Sequence, residues 1–276
     1  MKRPIITLLT DFGTVDHYVA AMKGVILGIC PEAEIIDITH HITAYSIPEA
    51  GYTLAQAWHY FPKGTTHVAV VDPGVGTARR AILAEVAGHR FVAPDNGLLS
   101  MILRAHPEAK IREITANRFF RKPLSNTFHG RDVFAPVAAH LAGGTDAKKV
   151  GVGITDAVVG SFAVPKMVRR GIWKGEVLKI DNFGNVISNL EWKAFQNIAT
   201  QPFELRIGRH TVRRFQSTYT GISRRQLFAL RGSSGYIEVS FTQQNAAKFM
   251  GAAPGAAVEL SLTTPLRKDQ VVKRIE

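Results

Sequence analysis

A carboxylate and two arginines follow a β-branched run in the first third of the chain. The run at residues 66–71 ends in Asp72, a Pro-Gly-Val-Gly turn comes next, and Arg79 and Arg80 follow it. Such a run is typical of a buried strand, and ligand crevices of open α/β sheets lie at the carboxyl ends of strands. The pattern therefore predicts that Asp72 and these arginines stand at a site of chemistry.

A second polar cluster lies at residues 126–132 and contains His129 and Gly130, directly before an apolar helical stretch at 133–141. The glycine allows close backbone approach. A histidine at a helix start meets unpaired N–H groups at the positive end of the helix. This placement favours a neutral imidazole that accepts a proton.

Two more carboxylates follow predicted strands of the first half. Asp11 comes after the first strand, and Asp95 stands in an Asp-Asn-Gly sequence after a later one. With Asp72 they can meet in one crevice at a switch point of the sheet. Asp and Asn before Gly also form turns and helix caps, and for Asp95 the turn is the preferred interpretation.

Strands and helices alternate in the first half. Strands are predicted at 5–11, 34–39, 66–72 and 110–115, helices at 18–30, 47–61 and 96–106, and a hairpin at 81–93. This order predicts an α/β domain at residues 1–155, with a mostly parallel sheet and flanking helices. The helix after His129 is expected to close it.

The second half shows a different pattern. Residues 151–172 have little helical periodicity and suit a linker, and short strands with turns follow at 175–180, 186–190, 203–208, 211–215, 235–241 and 257–262. A short helix at 245–250 interrupts them. We predict a smaller antiparallel β-barrel or sandwich at residues 170–276.

Composition limits the class of protein. The 276 residues are 46% hydrophobic and 20% charged, which is ordinary for a globular protein. No stretch approaches the roughly 20 apolar residues of a membrane span, and no signal-peptide core follows Met1. We therefore expect a cytoplasmic protein that does not contact membranes.

The positive charge is concentrated in the second half. Residues 1–159 carry 16 Lys and Arg against 14 Asp and Glu, whereas residues 160–276 carry 18 against 8. A basic half could bind phosphates. Because its basic residues are scattered and lack interleaved aromatics, a solvated surface is favoured and nucleic-acid binding is not expected.

Several cofactor signatures are missing. Gly74-Val75-Gly76 lacks the third glycine of a dinucleotide fingerprint, and no P-loop occurs. The ten histidines are scattered without the spacing of a metal site. A Gly-x-Ser-x-Gly elbow is also absent. We expect no metal and no bound cofactor.

The second half carries a polar signature of its own. Asp181 and Asn185 flank an aromatic turn at Phe183, and a glycine loop at 232–236 offers the hydroxyl of Ser233. Carboxylate and amide oxygens could hold an ammonium, and N–H groups and hydroxyls a carboxylate, as an amino acid requires. Hairpin turns explain the same residues, and from the residues alone they are the favoured explanation.

Six motifs, in order along nearly the whole chain, resemble those of the S-adenosyl-L-methionine (SAM) hydroxide adenosyltransferase family. They are Thr10-Asp11-Phe12-Gly13, Asp72-Pro73-Gly74-Val75-Gly76-Thr77, Pro94-Asp95-Asn96-Gly97, Phe128-His129-Gly130-Arg131-Asp132, Asp181-Asn182-Phe183-Gly184-Asn185 and Ser233-Ser234-Gly235-Tyr236. The resemblance implies an N-terminal α/β domain, a C-terminal β-barrel, and a homotrimer with active sites between subunits. It also implies hydrolysis of SAM, as substrate, to adenosine and methionine.

The resemblance assigns roles to residues. Asp72, Arg79 and His129 correspond to a catalytic triad, with Arg80 as the adjacent alternative to Arg79. Gly130 stands where halogenating relatives have a serine, so the implied nucleophile is water or hydroxide. The implied substrate contacts are Asp11 and Asp16 for the ribose, Tyr45, Phe183 and Tyr219 for the aromatic lining, and Asp181, Asn185 and Ser233 for methionine.

Another class of function fits the same residues. A regulatory protein that binds SAM or adenosine and holds RNA on its basic barrel would retain ligand without turnover. A SAM-dependent methyltransferase is disfavoured, because the glycine-rich loop after the first strand is missing.

Overall fold

The computed structural model describes residues 3–220 and 225–262, and the chain divides into two compact units, Met1–Gly160 and Ser161–Glu276. The first unit is an α/β layer structure and the second is an antiparallel, barrel-like sheet. The predicted fold class is therefore confirmed. Across the described residues, no helix combines the length and apolar character that crossing a bilayer requires.

The first unit is built on a seven-stranded sheet in the order β2-β1-β3-β5-β4-β6-β7. Five strands share one direction, and β4 and β7 run the opposite way. Its elements are β1 Ile5–Thr10, α1 Tyr18–Ile29, β2 Glu34–Thr39, α2 Ile47–Ala57, β3 Thr66–Val70, β4 Ala81–Val86, β5 His89–Pro94, α3 Ser100–Ala105, β6 Lys110–Ile114, α4 Ala135–Ala142 and β7 Gly151–Ile154.

The inner strand β3 is buried on both faces. Val68 and Val70 pack with α1 and α4, while Ala69 and Val71 pack on the other face with α2 and α3. A strand covered on both sides has a continuous apolar sequence rather than an alternating one. This burial explains the run that precedes Asp72, and it fixes the strand end from which the site is built.

The second unit is an antiparallel sheet in the order β12-β11-β15-β9-β10-β14-β13, with β8 also paired to β9. Its elements are β8 Lys166–Arg169, β9 Ile172–Ile180, β10 Val186–Glu191, α5 Trp192–Phe195, β11 Phe203–Ile207, β12 His210–Val212, β13 Leu227–Arg231, β14 Tyr236–Phe241, α6 Ala246–Met250 and β15 Ala257–Leu262.

The two ends of this sheet meet. After β12 the chain pairs with β13, where Ala229 donates to the Arg214 carbonyl at 2.8 Å and accepts from the Gln216 amide at 2.9 Å. An apolar core that includes Trp173, Phe195 and Phe203 fills the interior. The sheet is thus nearly closed, which favours the barrel over the sandwich.

Parts of the secondary-structure prediction were wrong. The predicted linker at 151–172 contains the strands β7 and β8, and β13 was not predicted. All three are only four or five residues long, and β8 is exposed throughout, so they lack a clear alternating pattern. The predicted helix at 96–106 is confined to α3, because Asn96 and Gly97 form a turn that ends with the Ser100 hydroxyl bonded to the Gly97 carbonyl.

Candidate active site

A cavity opens at the carboxyl ends of β1 and β3, which are adjacent parallel strands. Asp11 follows β1 and Asp72 follows β3, so their carboxylates reach the same edge of the sheet. The cavity has a volume of about 310 Å³, and its lining comprises Asp11, Phe12, Tyr18, Ala44, Tyr45, Val70, Asp72, Val75, Thr127, Phe128, His129 and Gly130. Two of the three predicted triad members, Asp72 and His129, therefore face one cavity with Asp11.

Arg79 lies behind these two residues and joins them. Its Nε donates to Asp72 Oδ1 at 3.1 Å, and its Nη2 donates to Asp72 Oδ2 at 2.5 Å and to His129 Nδ1 at 3.1 Å. The arginine side chain is 8% exposed and that of Asp72 is 5% exposed. A bidentate pair at this depth fixes both side chains in orientation.

The contact with Arg79 determines the protonation of His129. A guanidinium has no acceptor, so His129 Nδ1 must accept and the ring proton of the neutral form is on Nε2. Burial lowers the pKa of His129 and the charge of Arg79 lowers it further, against smaller opposing effects of Asp72 and Asp132. The lowered pKa agrees with the neutral imidazole that the sequence predicts. Because the ring proton is on Nε2, however, that nitrogen can donate a hydrogen bond but cannot accept a proton.

Two glycines allow the loops of the site to approach closely. Gly76 has a φ of 77°, and a Cβ there would overlap the carbonyl oxygen of Asn126 in the loop before His129. At Gly130 a Cβ would lie 3.2 Å from the Phe12 ring and 3.3 Å from Met22 Sδ. Phe12 and Met22 thus pack over the position that a side chain at residue 130 would occupy.

The loop that carries His129 is anchored by Asp132. Its fully buried carboxylate accepts from Arg131 Nε at 2.7 Å and from the Ser125 amide at 2.9 Å. Burial alone would raise the pKa of Asp132, but these hydrogen bonds bring it below its usual value. The guanidinium of Arg131 also lies over the Phe128 ring, 4.9 Å from its centroid. The segment from Ser125 to Phe128, which precedes the π-helical turn Gly130–Phe134, is therefore held at both ends.

Arg80 has a different set of partners. It forms ion pairs with Asp95 at 2.6 Å and with Asp156 at 2.9 Å. Asp95, whose side chain is 2% exposed, also accepts from the Val158 amide at 2.8 Å. Asp95 therefore joins the Arg80 loop to the segment after β7, and it does not line the cavity with Asp11 and Asp72.

A hydrogen bond with Tyr45 orients Asp11 and affects its pKa. Its Oδ2 accepts the Tyr45 amide at 2.9 Å, and Tyr45 has a φ of 64°, an uncommon conformation for a non-glycine residue. Burial raises the pKa of Asp11, the Tyr45 hydrogen bond opposes that rise, and the charge of Asp72 adds to it. Asp16 is exposed and does not belong to the cavity lining.

An aromatic cluster in the cavity was not predicted as part of the site. The rings of Phe12, Tyr18 and Phe128 meet edge to face, with centroids 5.1–6.0 Å apart. Phe12 and Phe128 lie inside the motifs that carry Asp11 and His129. For Tyr18, at the start of an apolar helix, the sequence offered only helical periodicity.

The predicted residues of the second unit gather around two turns. Asp181 Oδ1 accepts the amides of Phe183 and Asn185, at 2.9 and 2.8 Å, and Oδ2 accepts the Asn185 side chain at 2.8 Å. This turn leaves the Phe183 ring 79% exposed. Ser233 is exposed in the glycine loop, and the Tyr219 hydroxyl donates to Glu238 at 2.6 Å.

No three His, Cys, Asp or Glu side chains within the described part of the chain are grouped as a metal ion would require. Asp72 and His129 of the cavity bond to Arg79, and Asp11 accepts a backbone amide.

Comparison with known proteins decides the family. The N-terminal domain of the SAM hydroxide adenosyltransferases matches residues 6–151, and their C-terminal domain matches residues 175–259. The chain belongs to the SAM hydroxide adenosyltransferase family. The predicted family is thereby confirmed, and the protein is an enzyme of this family.

Relatives of this chain include named enzymes and a solved structure. A protein from Salinispora tropica named (R)-S-adenosyl-L-methionine hydrolase is 36% identical over 91% of this chain and 95% of its own length. A protein of the same name from Thermus thermophilus is 36% identical over 94% and 99%. A fluorinase from Actinoplanes is 29% identical over 68% and 72%. An uncharacterised Thermotoga maritima protein superposes with a TM-score of 0.83 at 35% identity, over 93% of this chain and 99% of its own.

Proposed function

We propose that this enzyme hydrolyses SAM to adenosine and L-methionine by attack of water at the ribose C5′. The observation that carries the proposal is the pair of Asp72 and His129 facing one cavity beside Asp11, with Arg79 locked behind them. The names of the relatives at 36% identity support hydrolysis, and they favour it over a regulatory protein that retains its ligand.

The reaction needs little from the protein beyond a positioned water. The new bond joins the water oxygen to C5′, the C5′–S bond breaks with its electrons moving to sulfur, and the sulfonium leaves as a neutral thioether. No acid is needed for the leaving group, and the water loses one proton. Asp72 is the acceptor for that proton in this geometry. The single lone pair of His129 Nδ1 is bonded to Arg79, whereas the oxygens of Asp72 keep further lone pairs beside their bonds to Arg79.

The remaining triad members orient this exchange. His129 Nε2–H donates to one lone pair of the water oxygen. The second lone pair of the water oxygen is then directed at C5′. Arg79 is a positioning residue, because its guanidinium contacts Asp72 and His129 and does not line the cavity. Asp11 keeps acceptor capacity for the ribose hydroxyls after its bond to Tyr45.

The other binding residues extend the same proposal. Asp16 serves as a second ribose carboxylate, the rings of Tyr45, Phe183 and Tyr219 line the adenosyl group, and Asp181, Asn185 and Ser233 form the methionine end of the site. Because these last residues belong to the second unit, we propose a homotrimer in which two subunits complete each site. The enzyme acts in the cytoplasm without a cofactor, and nucleic acid is not a partner.

Product analysis in oxygen-18 water tests the reaction. Purified protein incubated with SAM should release adenosine and methionine in equal amounts, with the label in the adenosine 5′-hydroxyl. Unlabelled adenosine would reject attack by water at C5′. Retained SAM without turnover would support the regulatory alternative, and S-adenosylhomocysteine as the product would indicate methyl transfer.

A further inference from the structure

The Asp95-Asn96 pair lies beside the loop that carries Asp72 and Arg79, which we call the catalytic loop (residues 72–79). The pair follows β5, and neither of its residues lines the cavity. Asn96 bonds to the residue that precedes the catalytic loop, and Asp95 bonds to the residue that follows it. Two neighbours in the sequence therefore hold the two ends of this loop.

Asn96 holds the end of the loop that leads into Asp72. Its Nδ2 donates to the Val71 carbonyl at 2.9 Å, and its Oδ1 accepts the Leu98 amide at 3.2 Å. The strand β5 ends at Pro94, which has no backbone N–H to donate to β3. The side-chain amide of Asn96 therefore supplies a donor to the buried backbone directly before Asp72.

Asp95 holds the end of the loop that follows Arg79. Its amide donates to the Arg80 carbonyl at 2.9 Å, and its Oδ2 accepts from Arg80 Nε at 2.9 Å and from Nη2 at 2.6 Å. Arg79 Nη1 donates to the same Arg80 carbonyl at 3.1 Å. The peptide group that supports the Arg79 guanidinium is therefore fixed through Asp95.

The Asp95–Arg80 pair is anchored in turn to the segment after β7. Asp95 Oδ1 accepts the Val158 amide at 2.8 Å. The Arg80 guanidinium donates to the side chain and to the carbonyl of Asp156, both at 2.9 Å. Because both oxygens of Asp95 accept from donors, a side-chain amide of the same shape would turn its NH₂ group toward one of them.

We infer that Asp95 and Asn96 are positioning residues for the reaction, which close the catalytic loop and hold Asp72 and Arg79 in the geometry of the site. The inference rests on the proposed function for the identity of the reaction. Neither residue lines the cavity, so both act on the placement of the reacting groups and not on the binding of SAM. A displacement on the order of 1 Å lowers a rate by about a hundredfold, which makes such placement decisive for turnover.

The test uses two variants of the pair and one matched control. Asp95→Asn keeps the shape of the side chain but opposes one of its two donors, and Asn96→Ala removes the donor to the start of the loop. Glu85→Gln is the control, because Glu85 pairs with Arg112 at 3.8 Å between β4 and β6 of the same sheet. Urea unfolding, steady-state kinetics with SAM and the Kd for SAM from calorimetry are measured for each protein.

We expect both variants of the pair to lower kcat by about 10- to 100-fold while the Kd for SAM changes less than about threefold. Glu85→Gln should resemble the wild type. In Asp95→Asn the pKa of His129, followed by NMR, should rise, because the Arg79 guanidinium that lowers it is no longer fixed. An unchanged kcat in either variant, or an unchanged pKa of His129 in Asp95→Asn, would overturn the inference.

A double-mutant cycle separates positioning from a general loss of structure. In the Arg79→Ala background, Asp95→Asn should change kcat less than about twofold, since the guanidinium that it positions is gone. An equal loss in both backgrounds would show a merely structural role and contradict the inference.

Two further results keep this inference apart from the proposed function. If the wild type does not hydrolyse SAM, the proposed function fails, and the pKa of His129 in the free enzyme still decides the role of Asp95. Should Asp95→Asn not fold, Arg80→Lys keeps the positive charge and loses the planar fork that bridges its partners. It should reproduce the rise in the pKa of His129, and an unchanged value would overturn the inference.

Discussion

At the residue scale, the contacts of Arg79 are those of a residue that orients its neighbours and does not itself line the cavity. Its guanidinium donates to Asp72, to His129 and, at 3.1 Å, to the Arg80 carbonyl. It also lies 5.3 Å from the centroid of the Phe134 ring. Such an arginine sets the tautomer of His129 and the orientation of Asp72, and in the proposed reaction these two neighbours contact the water.

The first prediction concerns the tautomer of His129. Nitrogen-15 NMR of the free enzyme should show the proton of the neutral ring on Nε2, with a pKa below the ordinary value. Arg79→Ala should raise that pKa, since a nearby positive charge and a donor to Nδ1 are both removed. The exposed Arg104, changed to Ala, is the control and should leave the titration unaltered. A proton on Nδ1 in the wild type would contradict the proposed arrangement.

The second prediction assigns the proton acceptor. Asp72→Asn should lower turnover at least on the order of a hundredfold while the Kd for SAM stays nearly constant, because the lost interaction acts mainly in the transition state. Single-turnover kinetics and calorimetry measure the two quantities. Asp146→Asn is the matched control, since this exposed residue caps a short helical turn that Asn also caps well. Unchanged turnover of Asp72→Asn would show that Asp72 is not the proton acceptor.

The sequence predicted part of the site at this scale. Asp11 and Asp72 were identified because they follow apolar runs, and His129 because it stands directly before an apolar helix. The cavity is lined by all three. Tyr18 was not identified, since at the start of an apolar helix it offers only helical periodicity. Its place in the cavity depends on contact with Phe128, on a segment distant in the sequence, which periodicity within one helix does not reveal.

At the scale of elements, the two loops of the site depend on each other through Gly76. The third prediction is that Gly76→Ala lowers both stability and turnover. A residue at φ 77° costs about 1–2 kcal/mol when it has a Cβ, and here the Cβ also overlaps the Asn126 carbonyl oxygen. Urea unfolding and steady-state kinetics measure the two effects.

The control for this variant is Gly64→Ala. Gly64 has a φ of 93°, and a Cβ there has no atom within 4 Å, so it reports the backbone strain alone. Gly76→Ala should be the more destabilised of the two by about 1 kcal/mol or more, and it alone should lose turnover. Equal effects in both variants would show that the contact with Asn126 is unimportant.

The order of elements was predictable where each element carries its own periodicity. The alternation of strands and helices along residues 5–72 appears in the structure with its boundaries shifted by a few residues. Short strands such as β7 were missed, because they are held by neighbours rather than by their own pattern. Gly151 illustrates the point, since its missing side chain is what lets β7 approach the Glu113 carbonyl on β6.

At the scale of the whole molecule, a buried histidine links stability to pH. His67 is fully buried, shares hydrogen bonds with Thr7 Oγ1 at 2.8 Å and His89 Nδ1 at 3.2 Å, and stacks on Phe91. Burial lowers the pKa of His67 to about 3, with a further contribution from His89. It therefore stays neutral in the folded protein at pH values where an unfolded chain would protonate it.

The fourth prediction follows from that difference. The folded pKa lies below the unfolded value of about 6.5, so the unfolded state binds more protons as pH falls. The contribution of His67 to the free energy of unfolding is fully present above about pH 6.5 and is lost below it, by about 1.4 kcal/mol per pH unit. Urea unfolding at pH 8, 6 and 5 should show a shallower dependence in His67→Phe, and an unchanged slope in His59→Phe, an exposed control. An identical slope in His67→Phe would contradict the prediction.

The fifth prediction tests the proposed sharing of sites between subunits. His129→Ala removes a group of the first unit, and Asp181→Ala breaks the turn of the second, so each protein should be inactive alone. Subunit exchange between them should restore activity, because some sites then combine an intact first unit with an intact second unit. Failure to recover activity in hybrids verified by mass spectrometry would favour sites completed within one chain.

The closure of the second unit has a consequence for its behaviour in solution. An open antiparallel sheet presents unpaired N–H and C=O groups that recruit strands of other chains, which leads to aggregation or domain swapping. Here the hydrogen bonds of Ala229 to the segment after β12 occupy the edge that β13 would otherwise expose. At the β13 edge the small barrel is therefore protected by its own topology against pairing with strands of other chains.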